Sequence, residues 1–350
     1  MRFTLPDLTP EARAQFDTII DVRSPAEFAE DHIPGAINLP VLDDAERAEV
    51  GTIYKQRSPF DARKIGAALV ARNSAYHVEH SLMQKTGGWQ PLVYCWRGGQ
   101  RSGAFSTILQ QIGWRVQTLE GGYQSYRRHV VAALYEDPVP HHLIRLDGYT
   151  GTGKTVLLQM LRAKGVQVLD LEGLANHRGS FLGGQVTPQP SQKQFETRVA
   201  LALVQADPLL PLVVESEGSK IGGVSLPTAF WRAMCQAPRL LVDAPIAARA
   251  TFLAERYADL TDDPEALCGR LDRLRRFQGH EAVDAWQRLA RDQHFAELAQ
   301  ALVTAHYDPA YLRVRRGNAD IPIATFATQT LDETGLTGLA DQIARRLVDL

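Results

Sequence analysis

Leu143-Ile144-Arg145-Leu146-Asp147-Gly148-Tyr149-Thr150-Gly151-Thr152-Gly153-Lys154-Thr155 joins a strand-like apolar run, Leu143 to Leu146, to a glycine pattern, and a helix-like stretch, Val156 to Lys164, follows. Glycine, four residues, then glycine, lysine and threonine is the pattern of a loop whose backbone N–H groups wrap a phosphate at a helix start. Background residue frequencies produce it in a chain of this length on the order of once in a hundred cases. Gly148, Gly151, Thr152 and Gly153 would line the phosphate, Lys154 would reach its terminal oxygens, and the Thr155 hydroxyl could ligate a magnesium ion. Further strand-like runs at Val166 to Leu171, Leu212 to Val214 and Leu240 to Val242 alternate with helical stretches, which predicts parallel pairing with helical crossovers.

What such a loop holds depends on its neighbours. Glu215 and Glu217 end the run Leu212 to Val214, where a nucleotide hydrolase carries the acid that organises its metal and water. Asp170 and Glu172 end the preceding run and can do the same work, although a solvated strand end reads equally well. The glycine-rich stretch His177-Arg178-Gly179-Ser180-Phe181-Leu182-Gly183-Gly184-Gln185 offers His177 and Arg178 to a phosphate or a base. No adenine or guanine recognition motif stands out, so a diphosphate other than that of a nucleotide satisfies the loop as well. Beyond about Pro264 the chain reads as helical, with Leu267, Leu271 and Leu274 on one face and Arg273 and Arg276 opposite, followed by an amphipathic stretch from Val283 to about His306.

Upstream lies a second loop of unusual content, Tyr94-Cys95-Trp96-Arg97-Gly98-Gly99-Gln100-Arg101-Ser102, between the apolar run Pro91 to Tyr94 and the helical run Gly103 to Gln111. Converging helical N–H groups, the helix dipole, Arg97 and Arg101 are conditions that lower a thiol pKa, so Cys95 reads as a nucleophile beside an anion site. Around it, the strand Thr18 to Val22, the capped helix start Ser24-Pro25, the turn His32 to Pro40 and the strand Val116 to Leu119 compose another α/β pattern. Tyr135 to His142 contains two prolines and marks the boundary. The expected organisation is a first domain over 1–136, a linker over 137–142, and a second domain over 143–350 whose helical extension begins near 264.

At 350 residues, two domains are the natural expectation, and 45% apolar with 22% charged residues is an ordinary globular composition. No apolar run approaches the roughly 20 residues needed to cross a bilayer, and Met1 to Pro10 lacks the features of a signal peptide, so a cytoplasmic chain without membrane contact is expected. Three cysteines without close spacing argue against a disulfide framework or a cysteine-based zinc site, and Cys235 and Cys268 read as packing residues. No metal-ligand set is assigned. A net charge of −2 gives no global signal for nucleic acid, which leaves local patches: Arg127 with Arg128, the cluster of Arg270, Arg273 and Arg276, and Arg313, Arg315 and Arg316.

The first domain resembles rhodanese through Asp21-Val22-Arg23-Ser24-Pro25, Glu27-Phe28, His32-Ile33-Pro34-Gly35-Ala36, the Cys95 loop and Glu120-Gly121-Gly122-Tyr123. Five residues separate Cys95 from Arg101, one more than in ordinary single-domain sulfurtransferases, and this spacing is like that of related phosphatases that cradle a tetrahedral anion. The order of the two loops resembles the tRNA 2-selenouridine synthases, a resemblance that extends to Leu171-Glu172, Ala175, His177 to Ser180, Glu215, Glu217, Ile221-Gly222 and His306-Tyr307-Asp308-Pro309. It implies an α/β chain with a rhodanese-like domain, then a P-loop NTPase-like parallel α/β domain with a helical C-terminal part. It further implies exchange of sulfur for selenium in wobble 2-thiouridine of tRNA, with selenophosphate as donor and an S-geranyl intermediate made from geranyl diphosphate. Catalysis would fall to Cys95, Arg97 and Arg101. Selenophosphate would meet Arg97, Gly98, Gly99 and Arg101, with Cys95 carrying selenium covalently as a selenylsulfide. The diphosphate would meet Gly148, Gly151, Thr152, Gly153, Lys154 and Thr155, supported by His177, Arg178, Glu215 and Glu217. No tightly bound cofactor is expected. The rival readings are an ATP-dependent tRNA sulfurtransferase and a cysteine-dependent phosphatase; a non-catalytic module fits less well, because Cys95 and both arginines are present.

Overall fold

A computed structural model describes the chain except residues 137–138, 181, 185–186, 316–320 and 350, and except the side chains at 136, 259, 314 and 315. It divides into two compact units, Met1–Pro138 with Pro190–Gln205, and Val139–Gln189 with Ala206–Leu350. A single boundary at 137–142 does not provide for this exchange: the helix Gln192–Gln205 leaves the second stretch of sequence and completes the first unit.

The first unit is built on a five-stranded parallel sheet of β1 (Arg2–Phe3), β2 (Thr18–Asp21), β3 (Ala36–Asn38), β4 (Pro91–Tyr94) and β5 (Gln117–Leu119), in the order β1-β5-β4-β2-β3. Pro91–Tyr94 is buried throughout, as a central strand covered on both faces requires. Ile20, Val22, Val93, Phe105 and Leu109 form the core beneath the helix Gln100–Ile112. Ahead of β4 and β5 the Trp89 and Trp114 rings meet edge to face at 5.1 Å, and the Trp89 indole N–H donates to the Thr18 hydroxyl at 3.0 Å. The helix Pro25–Glu30 starts as the sequence indicates, with Ser24 as its cap and Pro25 in its first turn.

The second unit carries another five-stranded parallel sheet: β6 (Leu143–Gly148), β7 (Gln167–Leu169), β8 (Leu212–Glu215), and, after a small antiparallel pair β9 (Lys220–Ile221) and β10 (Val224–Ser225), β11 (Arg239–Asp243) and β12 (Ala324–Ala327). Its order is β12-β11-β6-β8-β7, so β6 is central. Leu146, Leu157, Leu161, Val213, Leu240 and Ile343 pack between the sheet and the helices Lys154–Ala163 and Glu333–Val348. The expected strand Val166 to Leu171 is shorter: the Asp170 side chain accepts the Gly173 N–H at 2.7 Å and starts the short helix Leu171–Ala175.

The helical part has its own core of Leu267, Leu271, Leu274, Val283, Trp286 and Leu298, which puts the predicted leucine stripe inside. The stretch read as one amphipathic element from Val283 to His306 is two helices, His280–Arg291 and Phe295–Leu302, broken at Gln293, whose φ is 59°. Among the described residues no helix is long and apolar enough to cross a membrane.

Candidate functional site

In each unit the candidate loop leaves the C-terminal end of the central strand, the position where open parallel sheets expose chain ends to ligands. The Cys95 loop follows β4. Gly98, at φ +65°, lies so close to the Leu119 carbonyl that a Cβ would stand 2.5 Å from it. A Cβ on Gly122 would collide with the Cys95 carbonyl, and the Tyr123 N–H donates to that carbonyl at 2.8 Å. The loop is thereby held against the Gly121-Gly122 turn, and Gly98 and Gly122 are steric requirements, whereas a Cβ on Gly99 would meet nothing within 4 Å.

The Cys95 side chain is buried, and its Sγ accepts the Gly99 N–H at 3.3 Å and the Ser102 hydroxyl at 3.2 Å. Burial alone would push the thiol up. The Ser102 hydroxyl and amide, the Arg101 charge and the Gly99 amide outweigh it, and the pKa lies below the ordinary thiol value. Arg101 is not aimed at a vacant anion position; its guanidinium donates to Glu27 at 2.7 and 3.3 Å. Glu27 also accepts the Ser24 N–H at 3.2 Å, so the cap of one helix orients the arginine of another. Arg97 is exposed. Trp96 lies beside Tyr123, with ring centroids 5.4 Å apart and the Lys193 ammonium 5.9 Å from its ring.

In the second unit the loop Gly148–Thr155 follows β6 and opens onto a cavity of about 640 Å³. Lys154 Nζ donates to the Gly148 carbonyl at 2.9 Å, folding back over its own loop. Thr155 donates to Glu172 Oε2 at 2.9 Å, and the Glu172 N–H donates to Glu215 Oε1 at 2.6 Å. Because β7 and β8 are neighbours, their ends bring Glu172, Glu215 and Glu217 together, with carboxylate oxygens within 4.8 Å of one another. Burial first, and then neighbouring carboxylates (Asp170 for Glu172, Glu172 for Glu215 and Glu217), raise all three pKa values, that of Glu217 to about 7. Glu215 Oε2 is buried and meets no hydrogen-bond donor among the described residues. Clustered carboxylates, a spare buried lone pair and the Thr155 hydroxyl are a donor set for a hard divalent cation.

His177 and Arg178 both line this cavity, as the sequence indicates. Burial lowers the His177 pKa, and its Nδ1 accepts the Gly179 N–H at 3.1 Å. A Cβ on Gly179 would stand 2.8 Å from Glu217 Oε2, so the glycine-rich stretch packs on the carboxylates; Phe181 and Gln185 of that stretch lie outside the described residues. Cys268 is a buried packing residue as expected, whereas Cys235 lines the cavity wall.

The structure adds partners that local patterns do not announce. Arg249 donates to the Thr150 carbonyl at 3.2 Å and pairs with Asp308 at 2.8 Å, so the His306 to Pro309 motif braces the phosphate loop from behind. Asp147, at the end of β6, pairs with Arg239 at 2.8 Å and accepts the Tyr311 hydroxyl. The basic patches fare unequally. Arg127 is paired with Glu196, and Arg270 is half-buried, while Arg128, Arg273, Arg276 and Arg313 are exposed. The Arg315 side chain and Arg316 lie outside the described residues.

Comparison with known proteins matches both halves. Residues 7–129 fit the model of the rhodanese-like domain, and residues 141–280 fit that of the tRNA 2-selenouridine synthase AAA domain. A tRNA 2-selenouridine synthase of Aeromonas salmonicida is 34% identical over 88% of this chain and 90% of its own length. One from Hydrogenovibrio crunogenus is 33% identical over 84% of this chain and 88% of its own, and one from Bdellovibrio bacteriovorus is 36% identical over 72% and 67%. With both loops, their order and nearly full-length similarity in agreement, the chain belongs to the tRNA 2-selenouridine synthase family.

Proposed function

We propose that this protein converts 2-thiouridine in tRNA to 2-selenouridine in two steps, one at each loop. The observation that carries the reading is a buried cysteine sulfur that accepts hydrogen bonds from Gly99 and Ser102 in the same chain as a phosphate loop. In the first step the loop Gly148–Thr155 holds geranyl diphosphate. The sulfur of 2-thiouridine attacks the geranyl C1, the C–O bond breaks, and diphosphate leaves with the electron pair. Lys154, released from the Gly148 carbonyl, and the loop amides offset the charge that develops on the leaving group. A magnesium ion held by Glu172, Glu215, Glu217 and Thr155 would add Lewis-acid stabilisation of that charge.

In the second step selenophosphate occupies the Cys95 loop, met by the loop amides and by Arg97. The Cys95 thiolate attacks phosphorus, an S–P bond forms, the P–Se bond breaks, and selenide leaves with both electrons. Selenide then displaces geranyl thiolate from C2 of the base, and water hydrolyses the phosphocysteine. Carrying selenium on the sulfur as a selenylsulfide would instead leave phosphorus at the oxidation level of phosphite. The Ser102 hydroxyl serves this route twice, since it stabilises Cys95 both as nucleophile and as leaving group.

The test is mass spectrometry of nucleosides from a 2-thiouridine anticodon stem-loop incubated with geranyl diphosphate and selenophosphate. Wild type should give S-geranyl and then 2-seleno products, and Cys95→Ser should stop at the S-geranyl product. Unchanged thiouridine in every tube would overturn the reading in favour of an ATP-dependent or phosphatase activity.

A further inference from the structure

Within the second unit the phosphate loop is fixed to a helix as well as to its strand. Gly151 has φ +85°, and a Cβ there would lie 2.8 Å from Leu253 Cδ1 and 3.1 Å from the Arg249 carbonyl, so the loop backbone rests directly on the helix Ile246–Arg256. The Arg249 guanidinium secures the same contact through Thr150 and Asp308. Just past the other end of the helix, the Tyr257 hydroxyl bonds to that of Ser180 at 2.9 Å, and the Arg178 guanidinium lies 4.9 Å from the Tyr257 ring centre. The helix therefore ends between the phosphate loop and the glycine-rich stretch.

Arg256 closes that helix, seven residues after Arg249 and three after Leu253, a spacing that puts all three on one face. That face meets the loop, and Arg256 lines the phosphate cavity. Among the described residues five lysine or arginine side chains line it, and four are engaged: Lys154 on the Gly148 carbonyl, Arg145 on the Ala237 carbonyl, Arg239 on Asp147, and Arg178 over the Tyr257 ring. The fifth, Arg256, is exposed, and among the described residues its side chain makes no hydrogen bond, ion pair or ring contact. Its charge does reach the acids: burial raises the Glu172 pKa, and Arg256 is among the cations that oppose the rise.

We propose that Arg256 is a diphosphate-binding residue, which meets the ligand's phosphate oxygens from the helix while Lys154 and the amides of the loop Gly148–Thr155 meet them from the strand end. The proposal rests on the reading of that loop as the site of the diphosphate of geranyl diphosphate. A guanidinium suits the position, because its planar fork presents paired N–H groups to phosphate oxygens and it stays charged at every working pH. The carboxylates of Glu172, Glu215 and Glu217 give it a task, since an incoming diphosphate meets their repulsion and a cation on the cavity wall offsets it.

Calorimetric titration of the full chain with pyrophosphate, once with and once without magnesium, tests the assignment. Arg256→Ala should weaken binding by about ten- to a hundredfold, the scale of losing a hydrogen bond to a charged group, and should do so in both titrations. An exposed side chain without partners can be removed with the fold intact, and an unchanged Tm checks this. Pyrophosphate affinity equal to that of wild type would overturn the proposal; if the same variant then binds a 2-thiouridine anticodon stem-loop more weakly, the arginine serves an RNA phosphate instead. A loss confined to the titration with magnesium would overturn it as well, because Arg256 would then act through Glu172 and the cation and not on the diphosphate. The reading of the loop fails on a different result: wild type that binds no pyrophosphate, or Lys154→Ala that binds it as tightly as wild type. Weakened binding in Lys154→Ala beside undiminished binding in Arg256→Ala removes the arginine from the site and leaves the loop in place.

Discussion

The two loops occupy equivalent places, each at the C-terminal end of the central strand of a five-stranded parallel sheet, yet they are prepared for their anions in opposite ways. The Cys95 loop is already balanced. Its sulfur has donors from Gly99 and Ser102, and Arg101 is neutralised by Glu27. The loop Gly148–Thr155 is unbalanced. Lys154 spends its ammonium on a backbone carbonyl while burial and neighbouring carboxylates raise the pKa values of three carboxylates nearby. On the proposed function, a loop that does covalent chemistry would keep its nucleophile poised, whereas one that grips a diphosphate would be completed by the charge its ligand and cation bring.

The largest test of this contrast removes the nucleophile. Cys95→Ser should lower selenation by at least about a thousandfold, as loss of a nucleophile does in other enzymes, while geranylation proceeds. A parallel loss of geranylation would break the division of labour. Lys154→Ala should do the reverse, slowing geranylation by about a hundredfold, the scale of losing one donor to a developing charge, with Cys95 alkylation unchanged. Ser102→Ala tests how far the first loop is preset: its thiol should titrate at higher pH and react about tenfold more slowly with iodoacetamide near neutrality. An unchanged profile would give the stabilisation to the Gly99 amide and Arg101 alone.

The smallest effect concerns the acids. Glu172, Glu215 and Glu217 have folded pKa values above their unfolded ones, so between the unfolded value of 4.5 and about 7 the folded state binds more protons. Unfolding free energy should therefore fall as pH rises through that window, and magnesium should restore it by displacing protons. Glu217→Gln should flatten the decline; each kcal/mol removed corresponds to about 2–4 °C in Tm for a unit of this size. A pH-independent Tm in wild type would mean that the cluster is more hydrated than its burial implies.

What could be read from the sequence was local. The phosphate loop and the Cys95 loop announce themselves because a backbone that must wrap an anion demands glycine at fixed offsets. The leucine stripe at 267, 271 and 274 was legible for the same reason, since its periodicity needs no knowledge of its partner. Pairings across long separations were not. Nothing near Arg101 indicates Glu27, and nothing near Thr150 indicates the brace of Arg249 and Asp308. Glu172 and Glu215 were visible as strand ends, but their meeting depends on β7 and β8 being neighbours. The strand β1, of two residues, is too short to carry a pattern of its own, and β12, although as long as β4, buries only Phe326.

The helix Gln192–Gln205 shows how little its own sequence says of its destination. Its apolar positions Phe195, Val199, Ala200 and Leu203 would suit either unit. Its polar ones settle the matter: Thr197 donates to the buried Asp31 carboxylate at 2.9 Å beside the Tyr123 hydroxyl at 2.6 Å, and Glu196 takes Arg127. The order of synthesis gives this arrangement a consequence. When the ribosome has made the first 136 residues, Asp31 and Arg127 still lack these partners, and the segment that supplies them is translated only after the phosphate loop. The thiol-bearing unit therefore cannot finish folding before part of the other has been made, and a gene fragment cut at the apparent boundary should yield an incomplete, aggregation-prone product.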